Sequence, residues 1–228
     1  MLYDETAVRA NIRNREGKRV FILGRGDQLT STARDYLQRE RIGIVSPEQA
    51  RPERFALLGG GFMEEKPEHM THLNGDVLVP KTHPRIVFRG AMDLLEAELL
   101  LCALEVPGLR RELEEILALA RHLIRCDVLE EAVCWEKLCG LTQSQQRQHS
   151  HRPQEYYGQP HFMPEVSDGG EILRLNRCRC AARSAELAAV RAFSDAAGVP
   201  VRVDILQALN RMSSMLYILM IRLRAKKQ

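Results

Sequence analysis

From residue 85 to residue 225 the apolar positions recur at helical spacing, which predicts helices near 85–105, 109–127, 128–139, 170–197 and 202–225. Pro107-Gly108 and Gly198-Val199-Pro200 punctuate two of the joints, and the mostly short connections favour an antiparallel bundle. The stretch Asp204–Ile221 is apolar on nearly every side, so it belongs inside that bundle. One segment breaks the pattern. Residues 140–170 are rich in Gln, His and Pro, lack periodicity and read as a lid loop. Tyr156, Tyr157, Phe162 and Met163 give this loop an apolar cluster that a wholly solvated segment has no use for.

The pattern before residue 85 is different. A β-rich run from Lys18, a capped helix starting at Thr30 and a second strand at Ile42–Val45 make a small β-α-β unit over 1–50. It is too small for a full nucleotide-binding sheet, and Gly24-Arg25-Gly26 reads as a tight turn. Residues 46–68, with Gly59-Gly60-Gly61 at their centre, read as linker, and 69–84 as loop with one short strand at most. His69 and His72 have HxxH spacing without further ligands nearby, as surface histidines do. The expected architecture is mainly α: a five-helix bundle over 85–225 with its lid at 140–170, a small α/β appendage at 1–50, and 51–84 between them.

Composition narrows the functions. The chain of 228 residues allows one sizeable core with a small added unit. A net charge of +3, from 33 basic and 30 acidic residues, is too balanced to argue for nucleic acid or a membrane surface. Aromatics at 5% supply no stacking platform. No apolar run reaches membrane-spanning length, and the charged N-terminus lacks a signal-peptide core, so a cytoplasmic protein is expected. The six cysteines lie in helical-looking sequence and read as buried or idle thiols. None forms a CxxC pair, and Cys178 and Cys180 diverge on a helix, so no cysteine metal site is expected.

Candidate chemistry lies in polar rows on the apolar helices. Asn210, Ser213, Ser214 and Tyr217 stack on one face of the most buried helix, with Arg211 beside them. Such a row is either a satisfied seam that fixes helix register or the wall of a ligand site. Arg89, Asp93 and Glu96 share a face of the first bundle helix, and Asn176, Arg179, Arg183 and Glu186 share one on the fourth. Arginines on rigid helices hold phosphate oxygens bidentately, and Lys81 and Arg85 add charge at a helix N-terminus. Three converging rows describe a polyphosphate cradle; unconverged, they are surface ion pairs.

Three segments carry a family resemblance: PKTHPRIVFRGAMDLLEAELLL (80–101), RCAARSAE (179–186) and DILQALNRMSSMLYILMI (204–221). They resemble, in order and spacing, the signature segments of the ATP:cob(I)alamin (corrinoid) adenosyltransferases. The lead-in THLNGDVLVPK, the N-terminal LTSTARDYLQRERIGI and the last segment are more similar to the ethanolamine-utilisation branch. The resemblance implies a five-helix bundle, usually trimeric, with ATP bound between subunits. It implies that Lys81 and Arg85 contact ATP, with Thr71, Arg89, Glu186 and Arg211 around them. It implies that Asp93 pairs with the Arg179 of a neighbouring subunit, and that Arg183 and Asn210 complete the catalytic set. Two departures stand out. Ser214 replaces the final Asp of the NRLSD motif, and the Thr- and Gly-rich phosphate loop of the propanediol type is not clearly present, Thr71–Asp76 standing in its place. The His and CCxxC cluster of some ethanolamine-branch members is also missing from 54–63, which implies no structural transition metal.

The reaction implied is transfer of the 5′-deoxyadenosyl group from ATP, with Mg²⁺, to cob(I)alamin. The cobalt is the nucleophile, which fits a chain with no Ser/His/Asp or Cys/His set. Reduction from cob(II)alamin is helped by an apolar face that displaces the lower axial ligand, a role for Phe162 or Met163 with Tyr217 as a second wall. The partners implied are a flavoprotein or other reductase, further copies of the chain as trimer or dimer, and a microcompartment shell or a cobalamin-dependent lyase. The location implied is the cytoplasm or a bacterial microcompartment within it. Two other classes remain open at this point: a non-catalytic corrinoid carrier, and a microcompartment docking protein that uses residues 1–50 as its handle.

Overall fold

The computed structural model describes residues 1–15, 17–47, 49 and 54–226. It divides into two compact units, Met1–His83 with Val128–Glu130, and Pro84–Asp127 with Glu131–Gln228.

The first unit begins with β1 (Leu2–Tyr3), α1 (Glu5–Ala10), β2 (Ile12–Arg15), β3 (Lys18–Ile22), β4 (Gln28–Leu29), α2 (Ser31–Arg39) and β5 (Gly43–Val45). Strand β3 pairs antiparallel with β2 and parallel with β5, so the expected β-α-β is present with an added strand. The Thr30 hydroxyl caps α2 by accepting the Ala33 N–H at 3.2 Å. Phe21, Ala33, Tyr36 and Leu37 are buried around this pairing. At the Gly24 turn, the Asp27 carboxylate accepts the Gly24 N–H, and a Cβ on Gly24 would stand 2.6 Å from Asp27 Oδ2. The glycine therefore serves a close approach.

The strands β6 (Phe55–Leu57), β7 (Phe62–Met63), β8 (Met70–Asn74) and β9 (Val77–Pro80) form a four-stranded sheet in the order β7-β6-β9-β8. This corrects the reading of 55–80 as linker and loop. Gly59–Gly61 is the turn of the β6–β7 hairpin, where Gly60 and Gly61 take φ of 97° and 87°. The strands are too short to show alternation, and a glycine run that turns a hairpin has the composition of a linker. Residues 48 and 50–53 of the expected linker, including the 50/51 boundary, lie outside the described residues.

The helical unit comprises α3 (Pro84–Glu105), α4 (Arg110–Leu129), β10 (Lys137–Leu138), β11 (Leu141–Thr142), α5 (Gln143–His151), α6 (Pro153–Tyr157), α7 (Gly170–Ala192) and α8 (Val203–Lys226). Pro84 starts α3 at the position where a missing N–H does least harm. Val106, ahead of Pro107, leaves the helical region and ends it. As the apolar pattern demands, α8 is the core element: Ile205, Leu209, Met212, Leu216 and Leu219 are all fully buried. Each contributes about 1.5–3 kcal/mol by leaving water. The chain's single tryptophan, Trp135, is half-buried against this core.

Two sequence expectations fail here. The helix expected at 128–139 does not form, although its residues suit one. Glu130 turns left-handed at φ 57°, and the backbone beyond it finds partners elsewhere. Asp204 accepts the Val133 N–H, Arg202 donates to the Glu131 carbonyl, and the Cys126 thiol donates to that of Ala132. Cys134 and Cys139 consequently lie outside helices, and all six thiols are free. The helix appears one segment later, as α5 inside the expected lid loop. Its N-terminus is a capping box of Thr142 and Gln145. Its buried face is made of Gln146 and Ser150, so it carries no apolar stripe to read.

Candidate functional site

The rows on α7 and α8 meet. Asn176, Arg179 and Arg183 from α7, and Asn210, Ser213, Ser214 and Tyr217 from α8, line one open-sided cavity of about 770 Å³. The end of α5 (Ser150, His151) and the extended stretch His161–Pro164 complete its wall. The volume is that of a ligand site.

Asn210 belongs to both the seam and the wall. Its Nδ2 donates to Glu186 Oε1 at 2.9 Å and its Oδ1 accepts from Arg211 Nη2, so a polar chain ties α7 to α8. Burial, and then the charge of Arg147 on α5, lower the Arg211 guanidinium from its ordinary pKa, with Glu186 opposing. The Ser214 hydroxyl donates to the Asn210 carbonyl one turn back and adds no charge to the cavity. Arg183 is exposed, and Arg179 lies with its guanidinium carbon 5.3 Å from the centre of the Tyr217 ring. Neither faces a carboxylate partner among the described residues. Two unneutralised guanidinium groups, one turn apart on a rigid helix, have the chemistry that suits an anion.

The other half of the cavity is apolar and aromatic. The Tyr217 hydroxyl accepts the Phe162 N–H at 3.1 Å, and the two rings stack with centroids 5.9 Å apart. Arg224 covers Phe162 at 4.3 Å while pairing with the buried carboxylate of Asp168 at 3.1 Å. Phe162 thus has two ring contacts, whereas Met163 is 87% exposed. Tyr156 and Tyr157 form a separate cluster on α6. The His149 ring stacks on Tyr156, and His149 Nδ1 lies 2.7 Å from the Tyr157 hydroxyl. Burial pushes the Tyr157 hydroxyl up and the His149 imidazole down, so the pair is neutral near pH 7.

The α3 row does not join the cavity of the single chain. Arg85 and Arg89 both reach Asp127 near the end of α4, which is completely buried. Arg85 Nε is 2.9 Å from Oδ1, and Arg89 Nε is 2.7 Å from Oδ2. Glu96 takes Arg121 of α4 at 3.0 Å. Asp93 is exposed and makes no ion pair among the described residues. Of the expected catalytic set, Arg179, Arg183 and Asn210 come together and Asp93 stands apart. Thr71 on β8 and Lys81 just past β9 belong to the first unit, where the Lys81 N–H extends the β8–β9 ladder by donating to the His69 carbonyl. His69 and His72 are exposed, and no group of three or more His, Cys, Asp or Glu side chains among the described residues is placed to hold a metal.

Sequence reasoning missed Asp127, His151 and His161. Asp127 left a signal: a carboxylate in the last turn of a helix opposes the dipole and needs cations. The two histidines left none: His151 ends a helix that carries no apolar stripe, and His161 lies in an extended stretch.

A family model described as cobalamin adenosyltransferase matches residues 62–223. The chain is 29% identical to the corrinoid adenosyltransferase EutT of Salmonella typhimurium (strain LT2), over 95% of this chain and 90% of that protein. Identity and coverage are the same for the corrinoid adenosyltransferase EutT of Escherichia coli (strain K12). No solved structure matches the chain.

Proposed function

The chain belongs to the cobalamin adenosyltransferase family, and we propose that it transfers the 5′-deoxyadenosyl group of ATP to cob(I)alamin, supplying adenosylcobalamin for ethanolamine breakdown. The observation that carries this reading is the joining of unlike halves in one cavity: Arg179 and Arg183 on one side, Phe162 and Tyr217 on the other. In the reaction, cobalt(I) provides the electron pair of the new Co–C5′ bond, the C5′–O bond of ATP breaks, and triphosphate leaves with that bond's electrons. No side-chain base is required. The arginines stabilise charge on the leaving phosphates, and Asn210, held by Glu186 and Arg211, fixes the geometry between α7 and α8. Mg²⁺ would come with ATP and add its charge to that of the arginines. Phe162, held beside the Tyr217 ring, is better placed than Met163 to cover the lower face of the corrin and leave cobalt four-coordinate.

A homo-oligomer completes the site in this reading. Asp93, exposed and unpaired on α3, suits Arg179 of another copy, and Leu94, Leu100, Leu101 and Leu104 leave α3 with an exposed apolar flank. A trimer follows from the resemblance, with a dimer as the other outcome of a mass measurement. In the same reading Arg85 and Arg89, whose charge Asp127 already meets, brace α3 and do not contact the nucleotide, and a reductase supplies cobalt(I). The work is done in the cytoplasm, where a microcompartment shell and a cobalamin-dependent lyase are the expected neighbours. Mixing the protein with ATP, Mg²⁺ and chemically reduced cobalamin, without oxygen, tests the reading. The cob(I)alamin spectrum is expected to give way to that of adenosylcobalamin. A spectrum that stays unchanged with corrinoid bound makes the protein a carrier.

A further inference from the structure

One set of contacts at the cavity has no part in the reading above. His161 lies parallel to the Tyr217 ring, with 7° between planes, and both its nitrogens are engaged. Nε2 is 3.1 Å from the His151 carbonyl and Nδ1 is 3.2 Å from the Tyr217 hydroxyl. A carbonyl only accepts, so Nε2 donates to it, and Nδ1 is left for the Tyr217 hydroxyl. The Tyr217 oxygen accepts the Phe162 N–H at 3.1 Å, and the hydroxyl has two further partners in reach, His161 Nδ1 at 3.2 Å and the Phe162 carbonyl, to which it donates at 3.4 Å. One imidazole therefore restrains the hydroxyl that holds the lid, and it ties the arrangement to the end of α5.

We propose that His161 is a positioning residue for the corrinoid half of the cavity: through the Tyr217 hydroxyl it fixes Phe162 in the place from which that ring covers cobalt. This rests on the adenosyl-transfer reading and adds to it a residue that touches neither ATP nor cobalt. The Phe162 side chain has two other restraints, the Tyr217 ring and Arg224, but both act on the ring face and allow it to slide. The hydrogen bond to the Phe162 backbone fixes its position along α8.

Two variants separate the chemistry from the stacking. His161→Phe keeps a flat ring over Tyr217 and removes both nitrogens. His161→Gln keeps one donor and one acceptor on a flexible stem. For His161→Phe the expected result is a cobalamin KM raised about tenfold, the worth of one to two hydrogen bonds. The KM for ATP stays within about twofold, as a change confined to one substrate's binding requires. The four-coordinate fraction of bound cob(II)alamin, read by electron paramagnetic resonance, falls. His161→Gln recovers most of both. Amide hydrogen exchange at Phe162, measured without any ligand, is expected to quicken in His161→Phe and in Tyr217→Phe.

Wild-type behaviour of His161→Phe in exchange and in cobalamin KM overturns the proposal. Faster exchange with an unchanged cobalamin KM and cob(II)alamin spectrum overturns it as well, leaving a contact of structure only. A wild-type protein that transfers no adenosyl group sinks the enzymatic reading, and the exchange comparison then judges the latch by itself.

Discussion

Two arginine pairs of the same spacing stand in the helical unit and have opposite fates. Arg85 and Arg89 on α3 close on Asp127, a carboxylate with no solvent exposure. Arg179 and Arg183 on α7 face a cavity and meet no carboxylate among the described residues. In the first pair the charge is cancelled inside the protein, and the arginines brace α3 against α4. In the second it is left facing the cavity. An i, i+4 arginine pair thus says nothing about function until its counter-ion is located, and here one pair finds it on another helix while the other meets none among the described residues.

The largest effect expected from this contrast is on Asp127. Asp127→Ala leaves two guanidinium groups without their buried carboxylate and should cost about 3–5 kcal/mol, read as a lower urea midpoint. Arg179→Ala and Arg183→Ala should change stability by no more than about 0.5 kcal/mol. They should instead lower kcat/KM for adenosyl transfer by about 100-fold, close to 3 kcal/mol of lost charge stabilisation. Equal urea midpoints for the Asp127 and Arg183 variants would erase the distinction.

Asp204 lies between the extremes, paired with Arg202 at 2.9 Å but only partly buried. Burial by itself would raise its carboxyl. The hydrogen bonds from Arg202 and the Val133 N–H outweigh that and hold it at about 2, against 3.8 for the free group. A depressed carboxylate stabilises the fold fully above about pH 4, and the contribution is lost as pH falls through 2. Asp204→Asn should therefore cost about 2 kcal/mol near pH 6, with the difference from wild type closing by pH 2 in parallel urea titrations. The smallest effect concerns the far wall. Thr142→Ala removes the cap of α5 and should cost about 1 kcal/mol, seen as faster exchange along that helix.

How far the sequence was legible follows from what each segment buries. Helix α8 buries apolar side chains on nearly every face, and its pattern announced both its type and its central place. Helix α5 buries Gln146 and Ser150 and announced nothing. The 128–139 segment has the residues of a helix, but Asp204 and Arg202, about seventy positions away, take its backbone groups. In the site, the α7 and α8 rows were readable because both lie on rigid helices with unbroken spacing. The α3 row had the same spacing and goes elsewhere, because Asp127 lies buried in α4 and captures its arginines. Which way a polar row turns is decided by partners distant in the chain, and spacing carries no record of them.

The lone Trp135, packed at the edge of the helical core, also makes the protein convenient to watch. Its indole is the sole source of emission excited at the red edge, and it belongs to the helical unit, so that light reports the opening of the bundle and is silent about the strands of the first unit. Followed beside far-ultraviolet dichroism in a denaturant series, it separates the melting of one half of the chain from that of the other without any label.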